Sequence, residues 1–512
     1  MRLHRDAIVA APGFQRWLVP PAALAVHLSI GQAYAYSVFK LPLTRLIGVT
    51  APAPGDWSQT QIALVFTVFI VVLGLSAALF GRWVETAGPR KAGLAAACCW
   101  GGGYLVAALG VATHRLWLLY LGNGLIGGCG LGLGYISPVS TLLKWFPDRR
   151  GLATGMAIMG FGGGALIGAP LADLLMRRFA TPASTGVWQT FVAMGLLYFA
   201  AMTCGALGYR LPPSGDRPPS WSGGAGRAWP GVSAAAPAAP APFAARDMHV
   251  SEAWRTPAFG FLWVVLCANV SAGIGLLEQA SPMIQEVFKG KVTASAAAGF
   301  VGLLSLFNIA GRIGWASLSD RIGRRATYGL FFSCGIVLYG SLPFASQAGS
   351  VTLFVAIVCL ILTMYGGGFA TIPAYLADLF GTQFVGAIHG RLLTAWSVAG
   401  VLGPLLVNVI RQSRIDAGAA PADAYNTTMW VLGGLLVAGF VCNLMVRMPV
   451  DRSEAATPRA TSSMTPVPAV APASTPASAR RRTMLVFAWA LVALPFLWGV
   501  LQTLGKASLL FR

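Results

Sequence analysis

Charge is what this 512-residue chain has least of: only 10% of its residues are Asp, Glu, Lys or Arg. A soluble domain carries roughly 25% to keep its surface wet, so a soluble globular protein is excluded. Acid is scarcer still, with 16 Asp and Glu against 36 Lys and Arg, a net charge of +20. The eight cysteines (Cys98, Cys99, Cys129, Cys204, Cys267, Cys334, Cys359, Cys442) all fall in apolar segments. None forms a C-x-x-C pair or stands with His at metal spacing, so they read as small buried hydrophobes and no metal is expected. H-E-x-x-H, G-x-S-x-G with triad partners and a Walker loop are also missing. The chain therefore reads as no enzyme, and nothing in it calls for a cofactor.

What is present is apolar surface: 56% of the residues are hydrophobic and 62 are Gly. Runs of about 20 apolar residues recur along the length, the signature of a polytopic membrane protein. Helices are expected at about 17–39, 60–82, 91–112, 116–143, 151–175 and 186–209, then at 258–280, 293–318, 326–345, 351–378, 385–410 and 425–447. A further run at 484–509 stands alone. Ala33-Tyr34-Ala35 resembles a signal-peptidase site, but the length of the first run and the repeat described next favour a retained helix. Lys and Arg concentrate in alternate loops, which puts the N-terminus inside and the C-terminus outside. The excess of Arg over Lys, with the Ala and Gly content, points to a bacterial source and so to a bacterial plasma membrane. In that setting the excess base faces anionic lipid, and nucleic acid is not a partner. Residues 211–255 and 450–482, rich in Pro, Ala and Ser, read as disordered linkers. The division is thus 1–210 and 256–449, six helices each, with an extra transmembrane helix at 483–512.

Two of the loops carry nearly the same sentence. Gly81-Arg-Trp-Val-Glu85-Thr-Ala-Gly88-Pro-Arg90-Lys91 is matched by Ala316-Ser-Leu-Ser-Asp320-Arg321-Ile-Gly323-Arg324-Arg325. Small residue, acid, Gly and base keep one spacing in both, which points to two related membrane-embedded halves. Gly88 and Gly323 permit a tight turn, and acid and base can pair across it. Glycines also recur every four residues, at Gly124, Gly128 and Gly132 and at Gly160, Gly164 and Gly168, giving faces on which helices approach closely.

Six plus six helices with that loop motif resemble the major facilitator superfamily. The fold class implied is all-α, two six-helix bundles plus one additional C-terminal helix. Lys144-Trp-Phe-Pro147-Asp148-Arg149-Arg150 with its following glycines, Gly386-Ala-Ile-His389-Gly-Arg391 with Trp396, and Gly31-Gln-Ala-Tyr34-Ala-Tyr36 resemble the oxalate/formate antiporter family within it. The last helix is similar to a single-helix small subunit known beside such transporters. The resemblance implies a monomeric secondary transporter that alternates access between two bundles. It also implies a conformational latch made by Gly81, Glu85, Gly88, Arg90, Asp320, Arg321, Gly323 and Arg325.

Arg312 is the one basic residue that cannot be moved to a membrane surface. It lies eight positions before Asp320, about 12 Å along the helix and near the middle of the bilayer. A guanidinium there needs an anionic partner, and no acid in the adjoining helices sits at its depth. A carboxylate substrate would supply one, with bidentate geometry; a permanent ion pair within the protein is the alternative. Tyr365 and Phe369, four apart, share a helix face; Trp396 lies roughly 17 Å into its helix, and Tyr34 matches an aromatic of the family's first helix. These complete the expected substrate site. The family's oxalate transporter uses a second cation, a Lys, where this chain has Trp396. One cation suits one carboxylate, so the expected substrate is a monocarboxylate such as formate, lactate or pyruvate rather than oxalate. His27 and Glu278 are candidates for carrying a coupling proton; exchange for a counter-anion would need neither. The alternatives are a proton-coupled exporter of another small molecule, which would want a mid-membrane acid instead of Arg312, and a transporter-like sensor.

Overall fold

Long apolar segments in a membrane must satisfy their backbone internally, and this chain does so with helices throughout. The computed structural model describes residues 6–11, 14–213, 247–447 and 479–508. The expected linkers fall mostly outside these residues. Twelve helices among the described residues are long and apolar enough to cross a membrane. In chain order, after an N-terminal α1 (Val19–Ile30), they are α2 (Gln59–Ala87), α3 (Pro89–Ala112), α4 (Leu116–Trp145), α5 (Arg150–Phe179) and α6 (Val187–Gly208). Then come α7 (Pro257–Val287), α8 (Ala294–Ile322), α9 (Arg324–Gln347), α10 (Val351–Phe380), α11 (Val385–Asp416), α12 (Pro421–Met445) and α13 (Ala479–Ala507).

The ends follow local chemistry. Ser58 and Gln61 form a capping box before α2, and Thr256, Thr293 and Ser350 accept from backbone N–H groups at the starts of α7, α8 and α10. Gly88 (φ 87°), Gly323 (φ 86°) and Gly381 (φ 85°) end α2, α8 and α10 in a conformation that side chains resist. The tight turns expected at Gly88 and Gly323 are therefore present.

Three expectations need correction. The first expected span is not one regular helix: beyond Ile30 it tightens into a 3₁₀ stretch, Gly31–Phe39. Nine residues is long for that geometry, which often marks a hinge. With three residues per turn, Gly31 and Tyr34 share an edge. Gly31 lies against the Phe161 carbonyl and the Tyr34 ring meets the Phe161 ring at 4.8 Å. Second, the end of the first expected linker is packed. Met248 N donates to Phe380 O (2.9 Å), and apolar Met248, Val250 and Ala253 are buried. Third, the last helix begins at Ala479, so Arg480, Arg481 and Arg482 belong to it rather than to the linker; Arg is a good helix former.

Both glycine ladders pack as a spaced small-residue face should. Gly124, Gly128 and Gly132 lie against α2, at Val68, Val72 and Ser76. Gly160, Gly164 and Gly168 lie against the N-terminal helix and the 3₁₀ stretch that follows it, at His27, Leu28 and Gln32. A second α5 face, Gly151, Gly155 and Gly162, closes on α8 at Ala316, Arg312 and Ile309. A Cβ at Gly164 would strike Leu28 O and Gly31, so Gly164→Leu should cost about 2 kcal/mol through overpacking. Thermal unfolding of the purified protein checks this against Gly434→Leu, a site with nothing within 4 Å; equal melting temperatures would mean the α1–α5 seam is slack.

Candidate functional site

Five side chains expected together do come together. Arg312 of α8 is fully buried, and its guanidinium lies over the Phe161 ring (5.8 Å) and the Phe369 ring (5.6 Å). Phe369 meets Trp396 at 4.7 Å and Tyr365 at 5.4 Å, and the Tyr365 and Tyr34 hydroxyls stand 3.3 Å apart. Tyr34 also approaches Trp396, at 6.4 Å. Tyr34 comes from the 3₁₀ stretch, Tyr365 and Phe369 from one face of α10, and Trp396 from α11 beyond its interruption at Leu393.

The hydrogen bonding of Arg312 is incomplete. Nε donates to Asn308 Oδ1 (2.8 Å) one turn back on α8, and Nη1 donates to the Ile158 carbonyl of α5 (2.8 Å). Nη2 is buried with no partner, and among the described residues no carboxylate pairs with the guanidinium. Gly162 makes the approach possible: a Cβ there would sit 3.0 Å from Arg312 Nε. Guanidinium N–H groups are charged donors, so the unpartnered Nη2 leaves hydrogen-bonding capacity unused in a buried site. Other buried polar atoms without partners stand nearby: Trp396 Nε1, the Tyr135 hydroxyl and both ring nitrogens of His389. The Tyr135 ring contacts Trp396 (5.2 Å), Phe161 (5.4 Å) and His389 (5.8 Å).

Phe161, Tyr135 and Asn308 were not among the expected site residues. Asn308 is legible as the i−4 neighbour of Arg312. Phe161 is a lone aromatic inside the Gly160–Gly164 run, where nothing else could fill space. Tyr135 carries no comparable signal. His27 sits behind the cluster, fully buried, with Nδ1 against Ala157 O and Nε2 3.1 Å from Tyr135 O. Glu278 is exposed on α7 and is not drawn into the cluster. Arg391 is turned away, donating to Val250 O (3.1 Å) over the Trp254 ring.

The repeated loops are arranged differently from a simple pairing across each turn. Glu85 is partnered by Lys144 and accepts from Ser140 Oγ (2.8 Å) and Gly386 N (3.0 Å), while Arg90 donates to Tyr209 O (2.9 Å). Asp320 accepts from Gly151 N (2.8 Å) and Leu152 N (3.0 Å) and pairs with Arg324 (2.6 Å). Arg324 and Arg150 both hold Asp378, at 2.9 and 2.8 Å. Arg321 is exposed and Arg325 reaches the Leu444 carbonyl, so neither expected base meets the acid. The reason is position: α9 starts at Arg324, which turns back onto Asp320, whereas Arg325 points a further step round the helix. Pro89 stands where Arg324 does in the other copy, which leaves Glu85 to Lys144. Gly81 lies against the backbone of Gly386 and Ala387, holding α2 to α11.

Removing the side chain that holds Nε should be felt. Asn308→Ala leaves a buried charged donor unmet, at about 2 kcal/mol. The melting temperature measures it, and an unchanged value would mean that Nε finds another acceptor.

The helical fold has solved counterparts. FucP in its outward conformation superposes with a TM-score of 0.60 at 13% identity, over 85% of this chain and 100% of that one. A bacterial homologue of the iron transporter ferroportin gives 0.59 at 13%, over 84% and 99%. In sequence, the oxalate:formate antiporter of Oxalobacter formigenes is 25% identical over 75% of this chain and 81% of that protein. YhjX, an uncharacterized MFS-type transporter of Escherichia coli (strain K12), is 24% identical over 75% and 86%. Human monocarboxylate transporter 11 is 24% identical over 83% and 81%. The profile of the Major Facilitator Superfamily matches residues 13–404. The chain is therefore a multi-pass membrane protein of the major facilitator superfamily, a secondary transporter and not an enzyme, with the oxalate:formate antiporter among its distant homologues.

Proposed function

We propose that this transporter carries a small monocarboxylate, of the formate, lactate or pyruvate kind, by alternating access around Arg312. The observation that carries the reading is the buried, unpaired Nη2 of Arg312. A monoanion bound there replaces a missing partner one for one, and the Trp396 indole N–H can meet its second oxygen. Tyr34, Tyr365, Phe369 and Trp396, with Phe161, enclose it and exclude water, which strengthens the pairing. The distant homologues named for oxalate:formate exchange and for monocarboxylates accord with this class. An oxalate dianion would leave one carboxylate facing aromatic rings. A cation exporter would want an acid where the cluster has a guanidinium.

In this reading residues 1–210 and 256–449 are the two six-helix bundles, with the repeated loops and the N-terminus on the cytoplasmic side, α13 an additional span belonging to neither bundle, and the C-terminus outside. The acid of each loop caps the N-terminus of a helix across the divide: Glu85 at Gly386, Asp320 at Gly151 and Leu152. A carboxylate at a helix N-terminus is favoured by the helix dipole. These bonds latch the cytoplasmic end shut, and Arg324, Arg150 and Asp378 extend the latch. His27 lies between two carbonyl oxygens; a neutral imidazole has one N–H for both, whereas the imidazolium fills both. His27 is thus the proton carrier if uptake is symport, and a bystander if it is anion exchange.

Uptake and counterflow in proteoliposomes with labelled oxalate, formate, lactate and pyruvate test the proposal. Arg312→Gln should lower transport roughly 100-fold, as expected for losing about 3 kcal/mol from a desolvated charge pair. Arg312→Lys should fall short of wild type because it loses the planar fork. Full transport in both variants would remove Arg312 from the site. Trp396→Lys adds a second cation and should shift preference toward oxalate; an unaltered ranking of the four anions would contradict the one-charge argument.

A further inference from the structure

Helix α13 does not stand apart in lipid. It lies along the seam between α5 and α8 and also touches the N-terminal helix. The contacting residues Trp489, Val492, Phe496, Gly499 and Thr503 recur at alternating three and four positions, the spacing of a helix with one packed stripe. Leu494, Leu497 and Leu501, on other faces, are exposed. Gly499 is so close to the Leu166 carbonyl of α5 that a side chain would strike it, and a Cβ at Gly163 would fall 2.7 Å from Phe496 Cε2. Thr503 packs on Gly302 of α8, and Trp489 Nε1 donates to Trp17 O at 3.2 Å.

The place of that contact matters. Gly162, whose missing side chain admits Arg312, is followed by Gly163, on which the Phe496 ring rests. At these positions α5 itself contributes backbone alone, and Leu28 and Phe496 are what cover Gly163. An unscreened charge is costly in hydrocarbon, so a wall this thin gains from a further layer outside it.

We propose that α13 is a lateral clasp. It binds α5 and α8 at once, thickens the glycine wall outside Arg312 with Phe496, and closes the α5–α8 seam to lipid and water. The packing is van der Waals contact over small residues, which drives helix association in bilayers. The consequence for transport rests on the reading of Arg312 as the anion site; the docking does not.

The test uses the full chain. A Cβ at Gly302 would lie 3.5 Å from Thr503 Cβ, so Gly302→Cys with Thr503→Cys has disulfide spacing. Mild oxidation and peptide mapping should show that disulfide, and adding Gly499→Leu should abolish it. Gly499→Leu, and the milder Phe496→Ala, should lower the melting temperature and cause a loss of labelled-anion uptake, while the lipid-facing Leu497→Ala does neither. Absence of the disulfide in the otherwise unaltered chain would overturn the docking. Its loss in Gly499→Leu with uptake and melting temperature unchanged would overturn the clasp and make the helix a passenger. If wild type carries none of the four anions, the substrate reading falls alone, and the disulfide and melting temperature still decide the clasp.

Discussion

A guanidinium in the middle of a membrane protein, with two of its three nitrogens bonded and none to a carboxylate, constrains much of what surrounds it. Removing such a group from water costs several kcal/mol, and the protein returns only part of that through Asn308, the Ile158 carbonyl and two aromatic faces. The arrangement demands that α5 come close enough for a mid-helix carbonyl to accept from α8. Gly151, Gly155 and Gly162 provide that approach. The opposite face of α5, Gly160, Gly164 and Gly168, brings in the N-terminal helix and with it Tyr34. One helix stripped of side chains on two faces thus sets both the depth of the charge and the position of an aromatic that encloses it.

The same economy governs the ends of the helices. Two acids at matching places in a repeated loop meet the exposed N–H groups of helices from the other part of the chain, so each contact ties two rigid elements together without a long side chain bridging them. In the proposed cycle such contacts are the kind that break cleanly, because the freed N–H groups can turn to water. The asymmetry between Pro89 and Arg324 gives the second copy a larger ionic cluster than the first. Near the middle of α2, Ser397 Oγ adds an uncharged tie by accepting from Gly74 N and donating to Ile70 O.

Much of this is legible in the sequence. Apolar run length gave the helices, the repeat gave the relation between the loops, and the depth of Arg312 singled it out because no surface could hold it. The glycine ladders announced their faces by spacing alone. What was hidden depends on tertiary approach. Tyr135 looks like any core tyrosine until α4 brings it to Trp396 and His389. The 3₁₀ stretch after Ile30 sets Gly31 against a carbonyl of α5, a contact between distant segments. The pairing of Arg324 rather than Arg325 turned on one step around a helix start, finer than loop spacing resolves. The contact stripe of α13 was spelled in the sequence, but only its partners give the spacing meaning.

The central claim is that the unpaired nitrogen of Arg312 waits for one carboxylate. Equilibrium binding of labelled pyruvate or lactate to purified protein measures this without requiring a transport cycle. The expected result is saturable binding of one anion per chain, displaced by other small monocarboxylates and abolished in Arg312→Gln. Equal binding in wild type and Arg312→Gln would contradict it.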